Sequence, residues 1–114
     1  RSVSPNAFAA LSRVLARLMV APDFSSLHCE IENALRVVPG SGPLFLYDTA
    51  LRFGAYRDIF PIHVYMHAGT KEGATRALRR PPKLIEPITA FPPAFGSLQA
   101  HELENLLCCY RECV

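Results

Sequence analysis

Apolar residues recur at the spacing of helical turns along most of the chain, and this pattern predicts about five helices. The first is predicted to begin at Pro5, which suits a first helical position, and to end at Pro22. Its apolar stripe consists of Phe8, Leu11, Leu15 and Leu18. A second helix is predicted to follow a cap on Asp23 or Ser25 and to stop at Pro39–Gly40.

The third predicted helix, residues 43–53, is apolar on nearly every side. A helix of that kind is typical of the centre of a core, so we expect it to be the most buried element. Leu46, Ala50 and Phe53 are spaced to share one face, and Gly54 is expected to end the helix.

The second half of the chain is less regular. Residues 62–66 have strand propensity but no evident partner strand, and we interpret them as an extended or short helical connector. Thr70 is predicted to cap a helix over 71–80, and five prolines within 81–96 exclude a long helix there. A last helix is predicted from about Leu98 to Cys113. The expected fold is all-α, a single helical domain over 1–114 packed around one core.

Composition sets broad limits on function. Half of the 114 residues are hydrophobic and 19% are charged, so the chain has the material for a core and is not a disordered polymer. A net charge of +2 does not demand a nucleic-acid partner. No apolar run approaches the length of a membrane span, and no basic-then-apolar leader opens the chain, so no membrane partner is expected.

Cysteine usage indicates reduced thiols. Three of the four cysteines crowd into the last seven residues, where helical spacing gives poor disulfide geometry. We therefore expect a cytoplasmic protein. There is no Cys-x-x-Cys pair, and we expect neither a metal site nor a cofactor.

One motif carries candidate chemistry. Residues 35–43, Leu-Arg-Val-Val-Pro-Gly-Ser-Gly-Pro, join two predicted helices and resemble the helix-hairpin-helix signature. The resemblance covers residues 35–54 and implies that Gly40, Ser41 and Gly42 hold a nucleic-acid backbone without reading bases. Glycines permit positive φ in a tight reversal, and they let backbone amides approach a phosphate at a helix N-terminus.

The hairpin departs from the helix-hairpin-helix pattern at three positions. Ser41 stands where the family carries an apolar residue, Leu44 replaces a basic or small polar one, and Leu46 replaces a small alanine. The alternative interpretation is a glycine turn between two core helices. The stretches 47–54, 64–70 and 73–74 also resemble a group of small bacterial proteins of unknown function, which implies a shared fold only.

A basic run follows the connector and supplies the remaining candidate residues. Lys71, Arg76, Arg79 and Arg80 are predicted as nucleic-acid contacts, with the last three on one helix face. Glu72 is spaced to pair with Arg76. The alternative is a solvated charged face with no ligand.

Three functions follow from these patterns. The leading hypothesis is a small helical domain that binds a nucleic-acid backbone through the hairpin. The second is a protein-interaction or structural domain that forms a homodimer through an apolar patch. The third is an enzyme in which His63, Tyr65 and His67 work with Asp48 or Asp58. No nucleophile elbow, phosphate-binding loop or metalloprotease motif is present, so no catalytic residue is assigned.

Overall fold

A computed structural model describes residues 5–109, with only the backbone described at residues 68, 69 and 109. The fold is all-α, as predicted, with one small two-stranded sheet. The elements are α1 (Pro5–Arg13), α2 (Leu15–Val20), α3 (Phe24–Leu35), α4 (Pro43–Tyr56), β1 (His63–Tyr65), α5 (Ala68–Leu78), β2 (Ile85–Pro87) and α6 (Ala100–Cys109). Short 3-10 turns span Ile88–Ala90 and Pro93–Phe95. The chain divides into two compact units, residues 1–60 and 61–114.

The first unit is organised around α3. Its side chains Phe24, Leu27, Ile31 and Leu35 are at most 2% exposed, and α1, α2 and α4 all pack on this helix. The Asp23 carboxylate accepts the amide of Ser26 at 2.8 Å, which confirms the predicted cap. The helix ends at Leu35, earlier than predicted, and the turn leading to α4 begins there.

The first predicted helix is interrupted at Val14, whose φ of −113° and ψ of 16° lie outside the helical range. The predicted apolar stripe is right at Leu18, which is fully buried, and at half-buried Leu11, but wrong at its other two positions. Phe8 and Leu15 are 67% and 49% exposed, whereas Ala7 and Ala10 are buried. Small side chains let two helix backbones approach closely, so alanines can form a contact face as well as large residues can.

Helix α4 buries one face rather than all of its surface. Leu46, Tyr47 and Ala50 are buried and Phe53 is half-buried, while Leu44 and Tyr56 are 52% and 77% exposed. The shared face of Leu46 and Ala50 is confirmed, but α3 has the more deeply buried side chains. Helix α4 packs on α3 with one face, and apolar side chains on its other faces remain in water.

Gly54 was predicted to end α4, but it lies inside the helix. The helix continues to Tyr56 and closes at Asp58, whose φ is 60°. The amide of Ile59 donates to the Gly54 carbonyl at 2.7 Å and that of Asp58 to the Ala55 carbonyl at 3.2 Å, a Schellman closure. A Cβ at Gly54 would collide with the Ile59 carbonyl, so glycine is required for the return of the chain.

The second unit contains the sheet, which the sequence pattern missed. Strand β1 pairs antiparallel with β2, with Val64 opposite Glu86. The partner strand lies in the proline-rich segment, and Pro87 at its end is compatible with an edge strand. The unit's apolar core is formed by Val64, Met66, Ala74, Phe91, Ala100, Leu103 and Leu107.

Helices α5 and α6 form the main helical contact of the second unit. Helix α5 begins at Ala68, so Thr70 lies within it and is not its cap. The Thr70 hydroxyl, fully buried, donates to the Glu104 carboxylate of α6 at 2.7 Å. Leu103 and Leu107 are buried as predicted, and the predicted helical residues 110–113 lie outside the described range.

Candidate nucleic-acid interface

The segment between α3 and α4 reverses the chain in two successive turns. The Val38 amide donates to the Leu35 carbonyl at 3.0 Å, and the Ser41 amide donates to the Val38 carbonyl at 3.3 Å. Gly40 has a φ of +86°. Gly42 then caps α4 in extended conformation, with Pro43 at the first helical position. The hairpin thus delivers the N-terminus of a fourteen-residue helix to solvent.

The fold requires glycine at one of the two glycine positions of the hairpin and not at the other. Gly40 is required by its positive φ, which other L-residues adopt only at a cost. Gly42 has a φ of −79° and a ψ of 173°, which any residue adopts, and a Cβ there would meet no atom within 4 Å. The expectation that both glycines serve the reversal is therefore wrong for Gly42. Its lack of a side chain is not demanded by the fold.

Ser41, between the two glycines, is half-buried. Its Oγ is buried and has no hydrogen-bond partner among the described residues. A hydroxyl buried without a partner loses its bonds to water and gains none in return.

Replacing Ser41 with alanine is expected to stabilise the protein by about 1 kcal/mol, because it removes that unsatisfied hydroxyl. Chemical denaturation of Ser41→Ala beside the wild type measures the change. Ser25→Ala, at an exposed position of α3, is the control and should change stability by less than about 0.5 kcal/mol. Destabilisation by Ser41→Ala would mean that the hydroxyl has a partner after all.

The hairpin surface carries little charge. Residues 33–47 include no Asp or Glu, and Arg36 is their one charged residue. Its guanidinium donates to the Asn33 side chain at 2.7 Å and remains exposed. Val37 and Leu44 are 85% and 52% exposed, so the hairpin also presents apolar side chains to solvent. The surface therefore does not repel an anion, and it attracts one only weakly.

The basic residues 71–80 do not form the predicted face. Helix α5 ends at Leu78, and Arg79 follows it in the left-handed conformation with a φ of 59°. Only Lys71 and Arg76 are helical, and Arg76 lies 3.8 Å from Glu72, which confirms that predicted pair. The left-handed residue redirects the backbone, so Arg79 and Arg80 leave the helical register of Arg76.

Arg80, itself exposed, forms an ion pair with the buried carboxylate of Glu86. Its two terminal nitrogens donate to the two carboxylate oxygens of Glu86 at 2.8 and 3.2 Å, and the Lys83 amide adds a third bond at 2.7 Å. The Arg80 guanidinium and then the Lys83 amide lower the pKa of Glu86 to about 2, although its burial acts in the opposite direction. The same pairing raises the pKa of Arg80.

Glu86 is a structural residue that the sequence pattern did not single out. Its side chain is 2% exposed in the centre of β2, where it faces the unit's interior. One signal was present in the sequence: a lone acid between prolines, six residues after a pair of arginines. The pairing shows that Arg80 holds β2 to the end of α5 and is not a free cation.

The predicted histidine cluster does not form a single row. Strand β1 stops at Tyr65, which is buried, while His63 on the same strand is exposed and His67 caps α5. The alternation that would align the three side chains ends because the helix begins at Ala68. Asp48 pairs with Arg52 at 3.2 Å, as its spacing indicates.

Two further observations concern soft ligands and membranes. Cys29 and Cys108 are in the thiol form, and residues 5–109 contain no group of three His, Cys, Asp or Glu side chains placed to hold a metal ion. Cys113 and the side chain of Cys109 are outside the described part of the chain. None of the described helices has both the length and the apolar character needed to cross a bilayer.

Comparisons with known proteins add no family to these observations. No protein-family model matches the chain, and searches of curated proteins and of solved structures find no significant match.

Proposed function

We propose that this protein binds the sugar–phosphate backbone of nucleic acid, without base readout, through the hairpin at residues 39–43. The observation that carries the proposal is Gly42, which lacks a side chain where the fold would accept one. Serine, aspartate and asparagine are preferred at this position for the stability of a helix. A glycine there leaves the backbone amides of the first helical turn accessible to an external acceptor.

The amides of this turn are suited to phosphate oxygens. The first amide engaged within α4 belongs to Leu46 and donates to the Gly42 carbonyl at 3.0 Å. The amides of Leu44 and Phe45 precede it and have no acceptor inside the helix, while Pro43 has no N–H. The helix dipole adds a partial positive charge at the same end, which favours an anion.

The charges set the expected strength of binding. With Arg36 as the one cation of the hairpin, the interaction should be weak, independent of sequence and reduced by salt. Lys71, Arg76 and Arg79 remain proposed phosphate contacts of the second unit. Arg80 is withdrawn from the predicted set because its guanidinium is committed to Glu86.

Two substitutions at Gly42 provide the sharpest test, because both improve the helix cap and only one adds charge. Gly42→Asp and Gly42→Asn should each leave the free energy of unfolding equal or raise it by about 0.5 kcal/mol. Binding to a random-sequence duplex, measured by fluorescence anisotropy at low salt, should fall about tenfold or more for the aspartate, which repels phosphate. The asparagine should reduce it less.

Gly40→Val is the control for a loss of binding that is caused by a loss of stability. Gly40→Val should destabilise the protein through its positive φ and thereby weaken binding. Equal binding by the wild type and Gly42→Asp would remove the hairpin from the interface. No binding by the folded wild type in large excess at low salt would refute the function itself.

A further inference from the structure

The solvent side of α4 carries a row of four side chains that begins at the hairpin. Leu44, Asp48, Arg52 and Tyr56 follow one another at intervals of four residues within this single uninterrupted helix, so they lie along one ridge of its surface. None of the four is among the buried residues of α4. We call this row the α4 ridge.

The far end of the α4 ridge is an aromatic ring that the packing of the first unit leaves in water. Tyr56 is 77% exposed, more than any other described Phe or Tyr residue. Its ring meets that of Phe53 in an edge-to-face contact, with centroids 6.1 Å apart and planes inclined by 63°. A contact of this kind orients a ring and covers at most one of its two faces. The exposure of Tyr56 therefore leaves a face of an oriented ring open to a flat ligand.

The middle of the α4 ridge has little charge to offer a ligand. The Arg52 side chain donates to the Asp48 carboxylate at 3.2 Å, and these two residues neutralise each other. Long-range attraction by the ridge is therefore small. A ligand on this surface must gain its affinity chiefly from the ends of the ridge, which are the amide of Leu44 and the ring of Tyr56.

We infer that the α4 ridge binds an unpaired stretch of nucleic acid, with a phosphate at the hairpin and a base stacked on Tyr56. The inference rests on the proposed function, because the phosphate site of that proposal includes the Leu44 amide at the near end of the same ridge. The helix rises by about 18 Å between Leu44 and Tyr56, a distance that a strand of several nucleotides spans. Stacking on an aromatic ring is tolerant of sequence, so it is compatible with binding that does not read bases.

The strand must be unpaired for this contact to form. In a duplex the faces of the bases are covered by their neighbours, whereas an unpaired base can turn away and stack on an aromatic side chain. A duplex held at the hairpin would therefore gain nothing from Tyr56 except at its ends. A single strand alternates charged phosphates with flat bases, and it can use both ends of the ridge.

The pattern along the ridge argues against a protein helix as its ligand. A helix docks on a continuous apolar stripe. Here the ion pair of Asp48 and Arg52 separates Leu44 from Tyr56, so no such stripe is present on the ridge. Two separate contacts, one for an anion and one for a ring, suit a nucleic-acid strand better.

The first test compares the affinity for an oligo-dT strand of about 15 nucleotides with that for a duplex of the same length, by fluorescence anisotropy. The strand should bind at least about tenfold more tightly. Tyr56→Ser should weaken the strand about tenfold and the duplex less than about twofold. The factor for the strand should be the same at about 50 and 200 mM salt, because stacking releases no counterions. Gly42→Asp should weaken both probes.

Two conservative variants separate stacking from general apolar contact. Tyr56→Phe keeps a flat ring and should bind the strand as the wild type does. Tyr56→Leu is apolar without a ring and should lose most of the preference for the strand. Phe8→Ser removes an aromatic ring that is 67% exposed on α1 and should leave the binding of both probes unchanged. Thermal unfolding of each variant checks that these exposed substitutions retain the fold.

A fluorescence measurement reports the contact directly. The chain contains no tryptophan, so Tyr56→Trp introduces a single indole at the end of the ridge. Oligo-dT should quench its emission in proportion to binding, because a stacked base lies against the indole. Phe8→Trp places the same fluorophore at an exposed position of α1 and should show no quenching.

Four outcomes would overturn this inference and leave the proposed function standing, provided that Gly42→Asp still weakens binding. They are equal affinity for strand and duplex, unchanged strand binding by Tyr56→Ser, full binding by Tyr56→Leu, and unquenched emission of Tyr56→Trp. Self-association of the wild type that Tyr56→Ser abolishes would assign the ridge to a second copy of the chain. Absence of binding to both probes would refute the inference together with the proposed function.

Discussion

Gly73→Ala is expected to destabilise this protein by about 2 kcal/mol, although alanine is the better helix former by about 1 kcal/mol. Gly73 lies where α5 meets α6, and a Cβ there would collide with the Leu107 carbonyl oxygen. The carbonyl carbon and Cα of Leu107 would be 3.1 and 3.2 Å from it. These are backbone atoms, so no rotamer change relieves the collision and the two helices must separate.

Separation of α5 and α6 would also disturb contacts on both sides of Gly73. The buried hydrogen bond from Thr70 to Glu104 joins these helices, and Ala74 and Leu107 belong to the unit's core. Urea denaturation measures the loss. Thr75→Ala, at an exposed position of the same helix, is the control and should be neutral or slightly stabilising. A gain in stability from Gly73→Ala would mean that the helices are not in contact at this residue.

Arg80→Ala is expected to have the largest effect of the single-residue changes, a loss of stability greater than that of Gly73→Ala, because it removes the partner of a buried carboxylate. It would leave the Glu86 carboxylate, on a side chain that is 2% exposed, without its bidentate partner. Lys83→Ala removes the same formal charge but keeps the amide that donates to Glu86, and it should cost little. Equal effects of the two variants would show that overall charge, and not the pairing of Arg80 with Glu86, accounts for the loss.

The pH dependence of stability gives an independent measurement of the same pair. The pKa of Glu86 is about 2 in the folded protein and 4.5 without the fold, so the folded state binds its proton more weakly. The stabilisation is complete above pH 4.5 and is lost as the pH falls towards about 2. The stability difference between wild type and Glu86→Gln should therefore shrink over this interval. A difference independent of pH would contradict the assignment.

The helical spacing of apolar residues correctly predicted the elements whose signals are local. Local patterns within one or two helical turns were enough to predict helix α3 and its Asp23 cap. The same kind of pattern predicted that Leu103 and Leu107 lie on the buried face of α6. The reversal between α3 and α4, with a glycine at positive φ, was predicted on the same basis, because a left-handed residue needs no distant partner. The function assigned to that hairpin stays a proposal.

Tertiary contacts decided the rest, because they join residues whose spacing along the chain carries no periodic signal. The pairing of β1 with β2 brings Val64 to Glu86 across more than twenty residues. The burial of Ala7 and Ala10 in place of Phe8 depends on how closely α1 approaches α3. This distance cannot be predicted from the hydrophobicity of the residues in α1. Arg80 was assigned to a helix face by local spacing, and only the position of Glu86 beside it revealed a structural ion pair. The sequence by itself determined where helices form, whereas the tertiary structure determined which faces they bury and which charges remain available to a ligand.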